Sequence, residues 1–273
     1  NTNFNGTIIF IFQPNEELGL GAKAMMDEGL LEKFPMQEIY GMHNLPGVPT
    51  GELLTRSGII CSSESLFEIK IKGMGGHSSM PQLGRDAITI GAEVVQALQT
   101  IISRRIASGS GAVVSVTEFI SNGQRNVLPG ETILKGDVRT RLPDDRKKIE
   151  LYLNQIASGV ASAHDIDIDV FFETEFVETI NHPIPTEAVL KTAKRIGLKT
   201  NECEPMSFSE DFSHFSNSVP GCFFLLGNGT DGANNKPLHS NDYDFNDALL
   251  PIGSDFWAGL AKNRLSKEGS NSV

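Results

Sequence analysis

Cysteine is scarce: Cys61, Cys203 and Cys222 are the only three in a chain of 273 residues. Three scattered thiols exclude a disulfide scaffold and a CxxC zinc site, and they suit a reducing, cytoplasmic compartment. Positive charge is in deficit as well. With 23 Lys and Arg against 34 Asp and Glu, the formal net charge is -11. Duplex binding needs a basic footprint, so nucleic acid is not an expected partner. The longest apolar runs, Ile8–Phe12 and Cys222–Leu226, fall far short of the ~20 residues that span a bilayer. A transmembrane helix is therefore excluded, and no membrane partner is expected. There is no GxSxG, P-loop or dinucleotide fingerprint, and Gly19-Leu20-Gly21 lacks the third glycine. Internal repeats and low-complexity linkers are missing. The opening residues, Asn1–Gly6, hold neither Met nor a basic-then-apolar leader, and a core strand is expected directly after them. Sequence upstream of Asn1 is therefore expected.

What is present supports a sizeable core: 39% of residues are hydrophobic and 21% charged. The length suits one large domain or two ordinary ones. Thr7–Gln13 is a continuous β-branched and aromatic run, which predicts a strand covered on both faces. Gly19–Leu31 predicts a helix stopping near Gly29, and Glu38–His43 and Gly51–Arg56 two short strands. Strand, helix, strand in this order favours a mostly parallel sheet. The texture then changes. Ser65–Lys72 alternates. Arg85–Arg104 predicts a helix with a stripe of Ile88, Ala92, Val95, Leu98, Ile101 and Ile102. Gly111–Ser121 and Glu131–Arg141 predict two strands, Asp144–His164 a helix capped by Asp144 or Asp145, and Asp167–Phe176 a last strand. This βαββαβ order is that of a ferredoxin-like module. Thr186–Ile196, Gly221–Gly227 and Asn246–Leu265, the last capped by Asn246, then predict helix, strand and helix. The fold class is α/β: a catalytic domain with a mostly parallel sheet over residues 1–61 and 177–273, interrupted by an inserted domain over 62–176.

Several residues could carry chemistry. Glu16 and Glu17 follow the first predicted strand, and ligands of parallel α/β sheets bind beyond the carboxyl ends of strands. A metal could bind one carboxylate and leave the other as a general base. Taken alone, the pair reads more simply as a solvated loop before a helix, with Glu favoured by the helix dipole. His43 closes a strand, and His239 lies in the polar loop Pro237–Asp242. Imidazoles and a carboxylate together suit divalent transition ions. His77 sits in the glycine-rich turn Gly73–Pro81, and Asn126 in the turn Asn126–Gly130, where its amide could donate to an oxyanion. Ser209-Glu210-Asp211-Phe212 predicts a helix start with Ser209 as cap. Arg139 and Arg141 could each pair with a substrate carboxylate. Asn5-Gly6-Thr7 and Asn228-Gly229-Thr230 match the glycosylation tripeptide. His164, His182 and His214 receive no catalytic role.

Taken in order, FQPNEE, GMHNLP, GGHSSMP, NVLPGE, SEDF and LHSNDYDFND resemble the M20 metallopeptidases, within them the branch of hippurate, N-acyl-amino-acid and auxin-conjugate hydrolases. The six motifs cover almost the whole chain. The resemblance implies a catalytic α/β domain interrupted by a lid or dimerisation domain, and a homodimer formed through that insertion. It implies two divalent metal ions per complete site, manganese, zinc, cobalt or nickel, and a small N-acyl amino acid as substrate. Glu16 would be the general base. Glu17 and His239 would bind one ion and His43 the other. His77 and Asn126 would hold the carbonyl oxygen as charge develops on it, and Glu210 would touch substrate or support the site. The Cys and His of an H-x-C-G-H-D motif that complete such sites have no counterpart here. The resemblance thus implies three of five ligands, a family member without its N-terminal portion, and a chain inactive as it stands. Two other readings stay open: an aminoacylase or dipeptidase of the same chemistry, and a non-catalytic module for dimerisation or ligand binding.

Overall fold

The computed structural model describes residues 5–266. It divides into two compact units. One takes the segments before Ser62, from Thr179 to Met206 and from Glu210 onward, and the other takes Ser62–Glu178 with Ser207–Ser209.

The first unit is built on a four-stranded mixed sheet in the order Ile39–Pro46, Gly221–Gly229, Leu53–Thr55, Thr200–Glu202. Ile39–Pro46 runs parallel to Gly221–Gly229, and Leu53–Thr55 parallel to Thr200–Glu202; one short antiparallel contact joins the two pairs. All nine residues of Gly221–Gly229 are buried. Side chains alternate between faces of a strand. Cys222, Phe224 and Leu226 accordingly join Val189, Leu249, Phe256 and Leu260 from the helices Pro183–Arg195 and Leu249–Arg264. Phe223 instead meets Phe212, with ring centroids 5.6 Å apart. Asn181 fills its amide valences against this strand, accepting from Phe223 N at 2.7 Å and donating to Phe223 O at 2.8 Å. A two-stranded ribbon, Thr179–Asn181 against Gly58–Cys61, completes the unit.

Thr7–Gln13 does not form the expected buried strand. No strand partner is present for it among the described residues, and Phe10 and Phe12 are 77% and 89% exposed. A run of apolar residues supplies strand propensity but not a neighbour, and without ladder bonds or a covering layer the extended segment lies open. The predicted helix Gly19–Leu31 is split at Gly29, whose φ of 84° places it in the left-handed region, into Gly21–Asp27 and Leu30–Lys33. Asn246 stands three residues ahead of the last helix and accepts from Ala248 N at 3.1 Å, so it shapes the approach instead of capping Leu249–Arg264.

The second unit has the βαββαβ order. Its antiparallel sheet runs Val113–Ser121, Glu131–Thr140, Ser63–Lys72, Asp167–Phe176. The helices Ala87–Thr100, prolonged by one π turn at Ile101–Arg105, and Pro143–His164 supply the other half of its core. Phe67, Ile69, Ile71, Leu134 and Val138 pack there against Ile90, Val94, Leu98, Ile149 and Leu153. Burying each such side chain stabilises by about 1.5–3 kcal/mol. Opposite charges pair across the sheet at Lys70–Glu131 (2.7 Å) and Lys72–Asp169 (2.6 Å). The buried stripe of the first helix is Ala87, Ile90, Gly91, Val94 and Leu98, while Ile88 is 43% exposed. Gly91 lies on this face, where a Cβ would stand 2.9 Å from the Phe119 ring. Pro143 opens the second helix, with Asp144 and Asp145 inside its first turn instead of capping it.

Candidate active site

The segment Gln13–Leu18 is held in an unusual shape. Asn15 is left-handed at φ 54°, Glu16–Leu18 form one 3-10 turn, and Gly19 is left-handed again at φ 66°. Asn is among the few non-glycine residues that tolerate such a conformation. Asp211, fully buried, staples the segment from behind: Ala22 N donates to its Oδ2 at 2.9 Å and the Gln13 side-chain amide to its Oδ1. Gly21 permits the approach, since a Cβ there would lie 1.5 Å from Pro14 O.

This stapling gathers three acids. Carboxylate oxygens of Glu16, Glu210 and Asp211 lie within 4.8 Å of one another. None of the three has a Lys or Arg ion pair among the described residues. Burial, then the neighbouring Glu16 charge, pushes Glu210 up to about 8. Burial raises Glu16 too, with repulsion from Asp211 and Glu17 adding to it. Burial likewise raises Asp211. A carboxylate lifted towards neutral pH is suited to take and return a proton. Sequence reading gave Asp211 no site role. Its only sequence signal was its place beside Glu210, because its partners Gln13 and Ala22 lie far away in the chain.

Glu17 and His239 meet at the surface, with Oε2 and Nε2 3.6 Å apart and both side chains 72% exposed. His239 is a further left-handed non-glycine residue, at φ 66°. Two ligands of a tetrahedral ion with bonds of about 2.1 Å stand roughly 3.4 Å apart. The spacing of the pair is close to that of two ligands of one divalent ion. His43, on the strand Ile39–Pro46, donates through Nδ1 to Asn44 O at 2.6 Å. A carbonyl only accepts, so this bond fixes the proton on Nδ1 and leaves Nε2 with its lone pair, the arrangement of a metal-ligating histidine. No hydrogen bond joins His43 to Glu17 or His239 among the described residues; it borders an open cavity with Met42, Phe245 and Trp257. His214 is half-buried beside the acids, its Nε2 unpartnered, and burial lowers its pKa.

In the second unit His77 and Asn126 are brought together. Gly76–His77 pairs antiparallel with Val127–Leu128, His77 opposite Val127, and Ser78 N donates to Asn126 O at 3.1 Å. Ser79 N and Oγ lie 3.2 and 2.8 Å from His77 Nδ1. The amide N–H can only donate, so Nδ1 accepts and Nε2 carries the proton of a neutral ring. Arg139 is committed to its own unit: it donates to Asp137 at 2.9 Å, to Ser209 Oγ at 2.9 Å and to Glu64. That bond also accounts for Ser209, which caps no helix; the short helix nearby is Ser213–Ser216, preceded by Phe212. Asn228 of the second glycosylation tripeptide is fully buried, which closes it to a glycan.

Comparison with known proteins places this geometry in a family. The hippurate hydrolase of Campylobacter jejuni is 33% identical over 263 residues, which is 95% of this chain and 67% of that protein. The N-acetylcysteine deacetylase of Bacillus subtilis is 31% identical over 257 residues, 94% of this chain and 66% of the relative. A solved structure from Bacillus subtilis, described as a dinuclear metal-binding peptidase from the M20 family, superposes with a TM-score of 0.81 at 26% identity and covers 97% of this chain and 67% of its own. The chain thus spans about two thirds of the length of the relatives it matches. A model of the peptidase family M20/M25/M40 matches residues 1–263, and the chain belongs to that family.

Proposed function

We propose that the protein hydrolyses the amide bond of N-acyl amino acids with the help of divalent metal ions. The observation that carries this reading is the Glu17–His239 pair, 3.6 Å apart, with Glu16 in the same 3-10 turn as Glu17. Glu17 and His239 would hold one ion and His43 Nε2 a second, of manganese, zinc, cobalt or nickel. A bound divalent ion polarises a carbonyl and lowers the pKa of water. Glu16 takes the proton of the attacking water and returns it to the leaving nitrogen. His77 and Asn126 donate hydrogen bonds to the carbonyl oxygen as it gains negative charge. Glu210, raised by its own burial and by the Glu16 charge, keeps its proton and so adds no second negative charge beside Glu16. The hippurate hydrolase and N-acetylcysteine deacetylase among the relatives favour an N-acyl amino acid as substrate.

The unit Ser62–Glu178 would serve as a lid and dimerisation domain of a cytoplasmic homodimer. Its edge strand Val113–Ser121 leaves Val113, Phe119 and Ile120 more than two fifths exposed, as a strand awaiting a partner edge would. Release of free amine from N-acyl amino acids by the metal-loaded protein is expected, and its loss in Glu16→Gln. Faster turnover of dipeptides would make the protein a dipeptidase. A protein that binds metal and cleaves neither would be a ligand-binding module instead.

A further inference from the structure

The loop between Gly229 and Leu249 carries His239, and its only regular element is the single 3-10 turn Gly232–Asn235. A loop of this length needs something to hold it, and one buried side chain holds both of its limbs. Asn228, fully buried at the end of its strand, donates through Nδ2 to Asn234 O at 2.9 Å and to Asp244 O at 3.2 Å. Its Oδ1 accepts from Asn246 N at 3.0 Å and from Asn44 Nδ2 at 3.3 Å. The amide orientation is forced, because backbone carbonyls only accept and a backbone N–H only donates. Asn234 lies before His239, while Asp244 and Asn246 lie after it. Asn44 is the residue whose carbonyl orients His43, and its Nδ2 also reaches Tyr243 OH at 2.5 Å. All four hydrogen-bonding positions of one buried amide are therefore spent on the loop of His239 and on the neighbour of His43.

We infer that Asn228 is a positioning residue for the metal site: it fixes the loop so that His239 meets Glu17. This rests on the reading of Glu17 and His239 as ligands. The buried amide gives the left-handed His239 backbone a rigid frame, which three exposed turns of polar residues would not supply by themselves.

Asn228→Asp is the sharp test. It keeps the volume but sets a carboxylate oxygen against two carbonyl oxygens that had a donor. Zinc and manganese affinities of the full chain are measured by competition with a chromophoric chelator, beside thermal melting of the metal-free protein and limited proteolysis of residues 230–248. His239→Ala serves as reference. The expected result is a 10–100-fold loss of metal affinity in Asn228→Asp, as for other residues that orient ligands, with faster cleavage of the loop. The double variant Asn228→Asp/His239→Ala is expected to bind only slightly more weakly than His239→Ala alone, since three of the four Asn228 bonds go to the loop of His239 and one to Asn44. A separate variant, Asn246→Ala, removes the side-chain bond from Asn246 Nδ2 to Asn228 O at 2.8 Å, which loosens the limb after His239 while the Asn246 backbone N–H remains, and it is expected to lose affinity several-fold. Should Asn228→Asp fail to melt cooperatively, Asn246→Ala carries the test. If His239→Ala binds metal as wild type does, the ligand reading fails. If His239→Ala is weakened but Asn228→Asp binds within twofold of wild type, or the two losses multiply, the positioning role is overturned and the ligand reading stands.

Discussion

Glu17 Oε2 and His239 Nε2 stand 3.6 Å apart although they belong to opposite ends of the chain. Both side chains are exposed, so a shared ion would tie them where burial does not. Each of Glu17→Ala and His239→Ala is expected to lower metal occupancy at least about tenfold, read by elemental analysis after dialysis. Occupancy equal to wild type in both would remove this pair from the site.

Glu16→Gln separates chemistry from metal binding. Loss of a general base costs about 10²–10⁴-fold in turnover. The expected outcome is that loss in kcat with metal content unchanged. Turnover within a few-fold of wild type would assign the proton transfer to another group.

Stability of the metal-free protein is expected to depend on Glu210. Its carboxyl titrates near 8 in the folded protein against an ordinary 4.5. The unfolded chain releases this proton first, so the contribution to stability is intact below about pH 4.5 and declines as pH rises towards 8. Glu210→Gln has no such loss, and its advantage over wild type is expected to grow by about 1–4 kcal/mol across that window. Urea denaturation in the presence of chelator measures it; curves that run parallel with pH would show that Glu210 ionises normally.

Glu38 has the opposite sign. Burial alone would raise its carboxyl, but hydrogen bonds from Arg264 and Tyr40 and the Arg264 charge outweigh that and lower it. Its contribution is present above the ordinary carboxylate range and is lost as pH falls through the lowered folded value. Arg264→Met is therefore expected to destabilise at pH 7 and to have little effect at pH 2, by thermal melting at both. An equal loss at both would mean that the contact is packing, not charge.

The core of the second unit is expected to be intolerant of truncation. Leu98 and Leu134 are fully buried on facing elements. Leu98→Ala or Leu134→Ala is expected to cost about 2–5 kcal/mol, read from urea midpoints.

Periodicity made much of this fold legible. Glu131–Thr140 alternates strictly between half-buried and buried, and its sequence alternates with it. The six motifs led to Glu16, Glu17, His43 and His239. Where reading failed, the missing information was pairing. Thr7–Gln13 has the composition of a strand, but no composition names the neighbour that would cover it. Ile88, Ala92 and Val95 make one apolar face of Ala87–Thr100 and Ala87, Ile90 and Val94 another, so spacing alone does not choose which of the two is buried. Asp211 and Ser209 find their partners Gln13, Ala22 and Arg139 far away in sequence, so local spacing shows the role of neither. His77 and Asn126 were singled out separately, and only the antiparallel ribbon between them sets them side by side.

The strand Gly221–Gly229 has hydrogen-bonded neighbours on both edges and no exposed residue. Its central residues, Phe223 through Leu226, are buried and paired with Ile39–Pro46 along their length. In deuterated solvent their amides will exchange only when the whole first unit opens, at a rate set by its global stability. These four amides are therefore an internal gauge: any ligand, ion or substitution that stabilises the unit will slow them together, by the same factor.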